Sequence, residues 1–314
     1  MRYEFLGEKD GASRLEFRAL EDCVSLDLAL AMGMSRRSAS RAFQRGELAC
    51  GGEVLEPSSR LLAGDVASVA LACSAPVPAL PAASPATIIY QDSVCLAAEK
   101  PAGILVHGDG TGAPTFTDRV SVSLAQQGLA AHPQAVQRLD VDTTGIVLFS
   151  LTEEFQPAFD ALVAGHAMRK RYLAEVSGSF PDDVTTIDTP ISRDRHDARR
   201  MRVCRSGHGQ PALTRVRVLA RRRGRTLLLV ELGTGRRHQI RVHLSSAGFP
   251  IVGDALYGGP RDACGLMLHA LQEEFEHPIT RHHVLLSSSV PERFSAWGCD
   301  AAEVARYYPR GASA

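Results

Sequence analysis

Lysine is nearly absent: the 314 residues hold only Lys9, Lys100 and Lys170, so positive charge rests on arginine. No run of about 18 apolar residues occurs, and the N-terminus MRYEFLGEKD has neither a basic leader before an apolar stretch nor a cleavage site. A cytoplasmic protein without a membrane partner is expected. Seven cysteines are scattered with no CxxC pair, which argues against a zinc ribbon and a disulfide framework and leaves them as buried or incidental thiols. The apolar share of 45% is that of an ordinary globular chain, long enough for one large domain and a small one.

Net charge is zero, which by itself speaks against a nucleic-acid partner. Its distribution speaks the other way. Between Arg193 and Arg241 stand 15 arginines against Asp194, Asp197 and Glu231, and phosphate binding follows local rather than net charge. A solvated face would look the same, so charge alone leaves both readings open.

The segment CSAPVPALPAASPA, residues 73–86, has four prolines, no charge and no helical or strand period, and reads as an extended linker. Before it lies a unit of residues 1–72. An amphipathic stretch from Val24 to Met32 is followed by a helix that Ser35 can cap and Gly46 can end. A hairpin turning at Gly51 and Gly52 comes next, then a strand VASVAL introduced by a Gly64-Asp65 turn. This order, with Arg36, Arg37 and Arg41 on the second helix, resembles the helix-helix-hairpin RNA-binding module first known from a small-subunit ribosomal protein. The resemblance covers residues 13–72, and solvating arginines are the alternative.

Beyond the linker, strands and helices interleave over residues 87–293, a size suited to one catalytic domain, with a tail at 294–314. GIVLFS, KRYLAEV and TLLLVEL read as strands. Thr152 can cap a helix that buries Phe155, Phe159, Leu162 and Val163. The proline-rich linker predicts few contacts between the two units, so the later segment should fold by itself.

Three segments bear on chemistry. In QRLDVDTTGIVLF, Asp140 stands in a Thr/Gly turn leading into a buried strand, a rigid mount for a reactive group; taken alone it reads as a turn cap before it reads as a catalyst. In KRYLAEV, Tyr172 could stack on a planar substrate or simply pack. In ELGTGRRHQIRVHLSSAG, Gly235 ends a strand, and a helix running to Gly248 leaves Arg237 and Arg241 one turn apart. His238 and His243 in that helix are poorly spaced for one ion and lack an evident third ligand, so no metal is expected.

Together, QRLDVDTTG, KRYLA and TGRRHQIRVH resemble the HRLDxxTSG, KxYxA and TGRxHQIRxH motifs of the RluA-type pseudouridine synthases. EKPAGILVH, FPIVGDALYGG and LMLHA fall in the family's order around them. The resemblance spans about residues 87–290. Gln137 replaces the usual His and Thr144 the usual Ser, and both spare the aspartate. The resemblance implies an α+β fold with a mixed, mainly antiparallel sheet flanked by helices and loops. It implies Asp140 as the obligatory carboxylate, Tyr172 beside the target base and Arg241 as the basic partner of Asp140 through a bidentate pair. Ile240 would wall the pocket, Arg138 would fill the space left by a flipped nucleotide, and Arg236, His238 and Gln239 belong to the RNA-contacting set. No cofactor is implied, and the partner is RNA, ribosomal favoured over transfer RNA, bound by a monomer. A non-catalytic RNA-binding or ribosome-assembly factor is the competing reading.

Overall fold

A computed structural model describes residues 3–10, 13–71, 83–129, 131–204 and 208–298. Most of the 73–86 linker and of the 294–314 tail lies outside these. The chain has an α+β architecture: a small antiparallel sheet near the N-terminus and a large, mainly antiparallel one beyond it.

The first unit comprises strands β1 (Tyr3–Lys9), β2 (Arg14–Ala19), β3 (Cys23–Val24), β4 (Leu48–Cys50), β5 (Glu53–Val54), β6 (Arg60–Leu61) and β7 (Val66–Ala70), with helices α1 (Ser25–Ala31) and α2 (Arg36–Gln44). Both helices and the β4–β5 hairpin stand where the sequence predicts them. The Ser35 side chain accepts from the Ser38 N–H and the Ser38 side chain caps the Ser35 N–H, satisfying two amides that the first turn leaves unpaired. Gly51 and Gly52 take φ of 59° and 90°, the left-handed pair of a two-residue turn. The β1–β2 hairpin is additional: β2 pairs with β7, giving the order β1-β2-β7-β4-β5.

The large sheet is built from β8 (Thr87–Gln91), β9 (Cys95–Lys100), β10 (Gln134–Ala135), β11 (Thr144–Ser150), β12 (Arg169–Ser177), β13 (Thr186–Asp188), β16 (Leu213–Arg222), β17 (Arg225–Leu232), β18 (Leu268–Glu276) and β19 (His283–Ser287). Its order is β13-β16-β17-β12-β18-β11-β9-β8, with β10 on β11 and β19 on β18. A separate hairpin, β14 (Ile191–Arg193) with β15 (Met201–Val203), and helices α3 (Phe116–Gln126), α4 (Gln156–Ala164) and α5 (Gln239–Ser246) complete it. The β11–β18 contact is parallel. Gly145 makes it possible: a Cβ there would stand 2.1 Å from the Ala270 carbonyl oxygen, and its φ is +111°, open to glycine at little cost.

Strand β11 is buried on both faces, which explains its unbroken apolar run. Val147 and Phe149 face one core with Phe116 and Val120 of α3. Ile146 and Leu148 face another, made with Phe155 and Phe159 and with Leu15, Phe17, Leu28, Met32 and Phe43 of the N-terminal unit. The two units thus share a core, contrary to the few contacts expected across the boundary. The Phe17 ring lies 6.5 Å from that of Phe155, the Tyr3 hydroxyl donates to the Ile279 carbonyl at 3.0 Å, and Arg41 pairs with Glu153 at 3.0 Å.

Two local boundaries differ from the sequence reading. Helix α4 starts at Gln156 with Phe155 at its cap, so Thr152 belongs to the preceding turn, where its carbonyl accepts from the Gln156 N–H. Helix α5 starts at Gln239, because His238 adopts a left-handed φ of 54°. Arg237 therefore precedes the helix instead of sharing a face with Arg241.

Candidate active site

Asp140 lies on the segment between β10 and β11, and the chain below it is clamped. Lys100, buried at the end of β9, donates through Nζ to the carbonyls of Val141 and Pro101, both at 2.8 Å, and the Gly103 N–H donates to Val141 at 2.9 Å. Burial pulls the Lys100 ammonium down to about 8, partly opposed by Asp142 and Asp140. The EKPAG segment therefore holds the aspartate turn rigid, a role its sequence alone does not disclose. Asp140 keeps 24% of its side chain exposed, so a substrate can reach it from outside.

Arg241 projects from α5 and donates Nη1 to Asp140 Oδ2 at 2.9 Å. Its other two nitrogens go elsewhere: Nε and Nη2 reach the two oxygens of Asp254 at 2.7 and 2.9 Å. The bidentate pair expected between Arg241 and Asp140 is thus made with Asp254, and Asp140 receives one bond. Burial works against the Arg241 charge, but Asp254 and Asp140 outweigh it and raise its pKa above the usual arginine value.

Two further groups close this arrangement. The Met201 N–H donates to the Tyr257 hydroxyl at 2.8 Å, and that hydroxyl is hydrogen-bonded to His238 Nδ1 at 2.9 Å. Burial lowers the His238 pKa, opposed by the charge of Asp140. Nε2 stands 3.8 Å from Asp140 Oδ1. The Arg241 and Arg200 guanidiniums lie 5.1 and 5.4 Å from the Tyr257 ring centroid, a cation–π arrangement. Asp254 and Tyr257 were not singled out from sequence; the signal was the GDALYGG segment, already in family order.

Tyr172, on β12, is buried. Burial first, then the charges of Glu273 and Asp140, push its phenol above the ordinary range. Ile240 is buried in the adjoining core. Gln239 is turned inward: its oxygen accepts from Thr234 and the Arg236 N–H, while its nitrogen donates to Leu213 and Thr214. It shapes the turn before α5 from within. Arg138 is exposed, and Arg236 donates Nε to the Pro211 carbonyl at 3.0 Å. Arg36 and Arg37 are exposed on α2, in the other unit. Of the two departures from the family motif, Thr144 keeps its hydroxyl at work, 2.8 Å from His269 Nδ1, and Gln137 donates to Glu273 at 2.6 Å.

The ring nitrogens of His243 are engaged by Thr214 and the Thr189 carbonyl, so it cannot join His238 on an ion. Among the described residues, Asp92, Cys95 and His277 have metal-like spacing. His277 Nδ1 accepts from the Ile279 and Thr280 amides, which puts the proton on Nε2, 3.3 Å from Asp92. That nitrogen has no lone pair for a metal, and the group is a hydrogen-bonded cap.

Comparison with known proteins agrees with this geometry. The family model described as RNA pseudouridylate synthase matches residues 94–246. A ribosomal large subunit pseudouridine synthase D from Xanthomonas campestris pv. campestris is 34% identical over 275 residues, covering 82% of each chain. One of the same name from Zymomonas mobilis is 29% identical over 287 residues, covering 85% of this chain and 90% of the relative. The solved human RNA pseudouridylate synthase domain containing 1 shares the fold with a TM-score of 0.58 at 24% identity, over 70% of this chain and 90% of that one. The chain belongs to the RNA pseudouridine synthase family, and it is an RNA-modifying isomerase. No helix among the described residues is long and apolar enough to cross a membrane.

Proposed function

We propose that the target uridines lie in large-subunit ribosomal RNA and that Asp140 is the reactive carboxylate. The observation that carries the second part is the single bond from Arg241 to Asp140. A guanidinium anchored on Asp254 aims one oxygen of Asp140, while the second oxygen is left for chemistry. The reaction must break the bond from the ribose to uracil N1, turn the retained uracil, and join C5 to the same sugar carbon, with the C5 proton moving to N1. The carboxylate can attack the sugar, abstract a sugar proton or add to the ring, and each route requires an ionised, oriented Asp140. Tyr172 and Ile240 would flank the base, His238 would present Nε2 near Asp140, and Arg138 would occupy the gap left in the RNA by the flipped nucleotide. The enzyme would act in the cytoplasm as a monomer.

The choice of ribosomal RNA follows the names of the relatives and the N-terminal unit. Its exposed Arg36 and Arg37 suit phosphate contacts, and its two helices and hairpin fit an RNA-binding module. Arg193, Arg195, Arg199 and Arg202 add charge around the β14–β15 hairpin, next to Tyr257. Mapping pseudouridine in total RNA from cells with and without the gene tests the assignment. Loss of sites in large-subunit ribosomal RNA is expected; loss confined to transfer RNA would overturn it.

A further inference from the structure

Behind the reactive groups, the departure at Gln137 has a partner. Gln137 Nε2 donates to Glu273 Oε1 at 2.6 Å, and both side chains are buried. A carboxylate 1% exposed is costly unless it is compensated. Lys170 stands directly opposite Glu273 in the β12–β18 pairing, and its ammonium lies against Gly235 in the turn before α5: a Cβ at Gly235 would meet Nζ at 3.6 Å. Each contact lies close in sequence to a site residue. Gln137 precedes Asp140 by three residues, Lys170 precedes Tyr172 by two, and Gly235 precedes Arg241 by six.

We propose that Gln137, Glu273 and Lys170 form a positioning cluster that sets where Asp140 and Tyr172 stand relative to each other. The proposal rests on the reading of Asp140 as the reactive carboxylate. Glu273 touches no part of the open site. It acts by holding the start of the aspartate turn to β18 through Gln137, while its second oxygen, Oε2, has no hydrogen-bond partner among the described residues and Lys170, opposite on β12, acts on it through charge alone. Displacement of a reacting group by about 1 Å is enough to cost roughly a hundredfold in rate, so a buried tether three residues from Asp140 is well placed to matter.

The cluster also titrates. Burial pushes the Glu273 carboxyl up to about 7, against the attraction of Lys170 and the bond from Gln137. Burial likewise lowers the Lys170 pKa, opposed by Glu273. The groups facing Glu273 are Gln137 from the loop and Lys170 and Tyr172 from β12; β19 sets Leu286 opposite it. Its neighbour Glu274 is engaged elsewhere, with Arg171 and His283. As an anion Glu273 both accepts from Gln137 and attracts Lys170; as an acid it loses the second attraction. The cluster therefore holds most firmly above about pH 7.

The test measures single-turnover pseudouridine formation by the full chain on an in vitro transcript of large-subunit ribosomal RNA, from pH 6 to 9. Wild-type protein should gain rate through about pH 7. Glu273→Gln keeps shape but not charge, and should lose about tenfold in rate at saturating RNA with unchanged half-saturation, and lose that inflection. Gln137→Met, of similar volume, should slow the reaction likewise and move the inflection upward, since the anion loses its donor. A wild-type rate or an intact inflection in Glu273→Gln would overturn the cluster, as would a rate restored by cooling in step with a lowered melting temperature. Asp140→Asn run alongside separates the two readings: no product there with a normal Glu273→Gln sinks only the cluster, whereas product there sinks the assignment of Asp140.

Discussion

Asp254 takes two of the three guanidinium nitrogens of Arg241, at 2.7 and 2.9 Å, and leaves the third for Asp140. A fully buried carboxylate thereby fixes the direction of a charge that would otherwise fork onto Asp140. Two carboxylates share one cation, and Asp140 is oriented without being tied up in a bidentate pair.

Asp254→Asn should therefore impair catalysis although Asp254 itself is sealed from solvent. Weakening a charge-assisted pair of this kind costs about 1.5–3 kcal/mol, or roughly ten- to a hundredfold in rate. Arg241→Lys should fare no better, because an ammonium cannot hold Asp254 with a fork and reach Asp140 with the same geometry. Single-turnover rates at saturating RNA measure both; wild-type turnover in Arg241→Lys would mean that only the positive charge matters.

Asp140→Asn should fold, bind RNA and form no pseudouridine, whereas Asp142→Asn, exposed in the same turn, should remain active. Asn caps turns about as well as Asp, so an aspartate kept only for the turn would survive the change. Equal effects of the two substitutions would point to folding or general electrostatics instead.

Removing the N-terminal unit should destabilise the catalytic sheet as well as weaken RNA binding. Ile146, Leu148 and Phe159 would lose the cover of Leu15, Phe17 and Met32. Phe17→Ala alone should cost about 3–5 kcal/mol, the usual loss for a fully buried phenylalanine, read from denaturant unfolding monitored at Trp297. A soluble, cooperatively folding fragment of residues 87–293 would show that the shared core is dispensable.

Acid should weaken the fold through His269. Burial, with Arg293 adding to it, pulls this imidazole down to about 3, while in the unfolded chain it titrates near 6.5. The unfolded state therefore takes up a proton that the folded state refuses. Stability falls as pH drops below about 6.5, by up to about 1.4 kcal/mol per unit from this group. His269→Gln should show a shallower decline between pH 6 and 4 in denaturant titrations, and an unchanged slope would remove His269 as the cause.

Much of this was legible beforehand because it is local. GIVLFS, KRYLAEV and TLLLVEL announce buried strands by composition, and Gly51-Gly52 announces its turn by backbone freedom. The alternation of Tyr3 with Phe5 and of Leu15 with Phe17 is also a strand signal, though it says nothing of pairing with β7. What stayed hidden depends on tertiary contact. The left-handed turn at His238, the choice of Asp254 as the forked partner of Arg241, and the meeting of Gln137 with Glu273 across 136 residues have no sequence period to betray them.

The shared core has one more consequence. Because Phe17 and Phe155 are packed in the same interior, Arg36 and Arg37 are held at one spacing from Asp140, and the molecule could work as a ruler. If α2 takes an RNA backbone and Asp140 the target uridine, an RNA would engage both together only where its own folded shape spans that interval. Selection of the modified position would then fall partly to the distance between two features of the RNA, not to the bases beside the target alone.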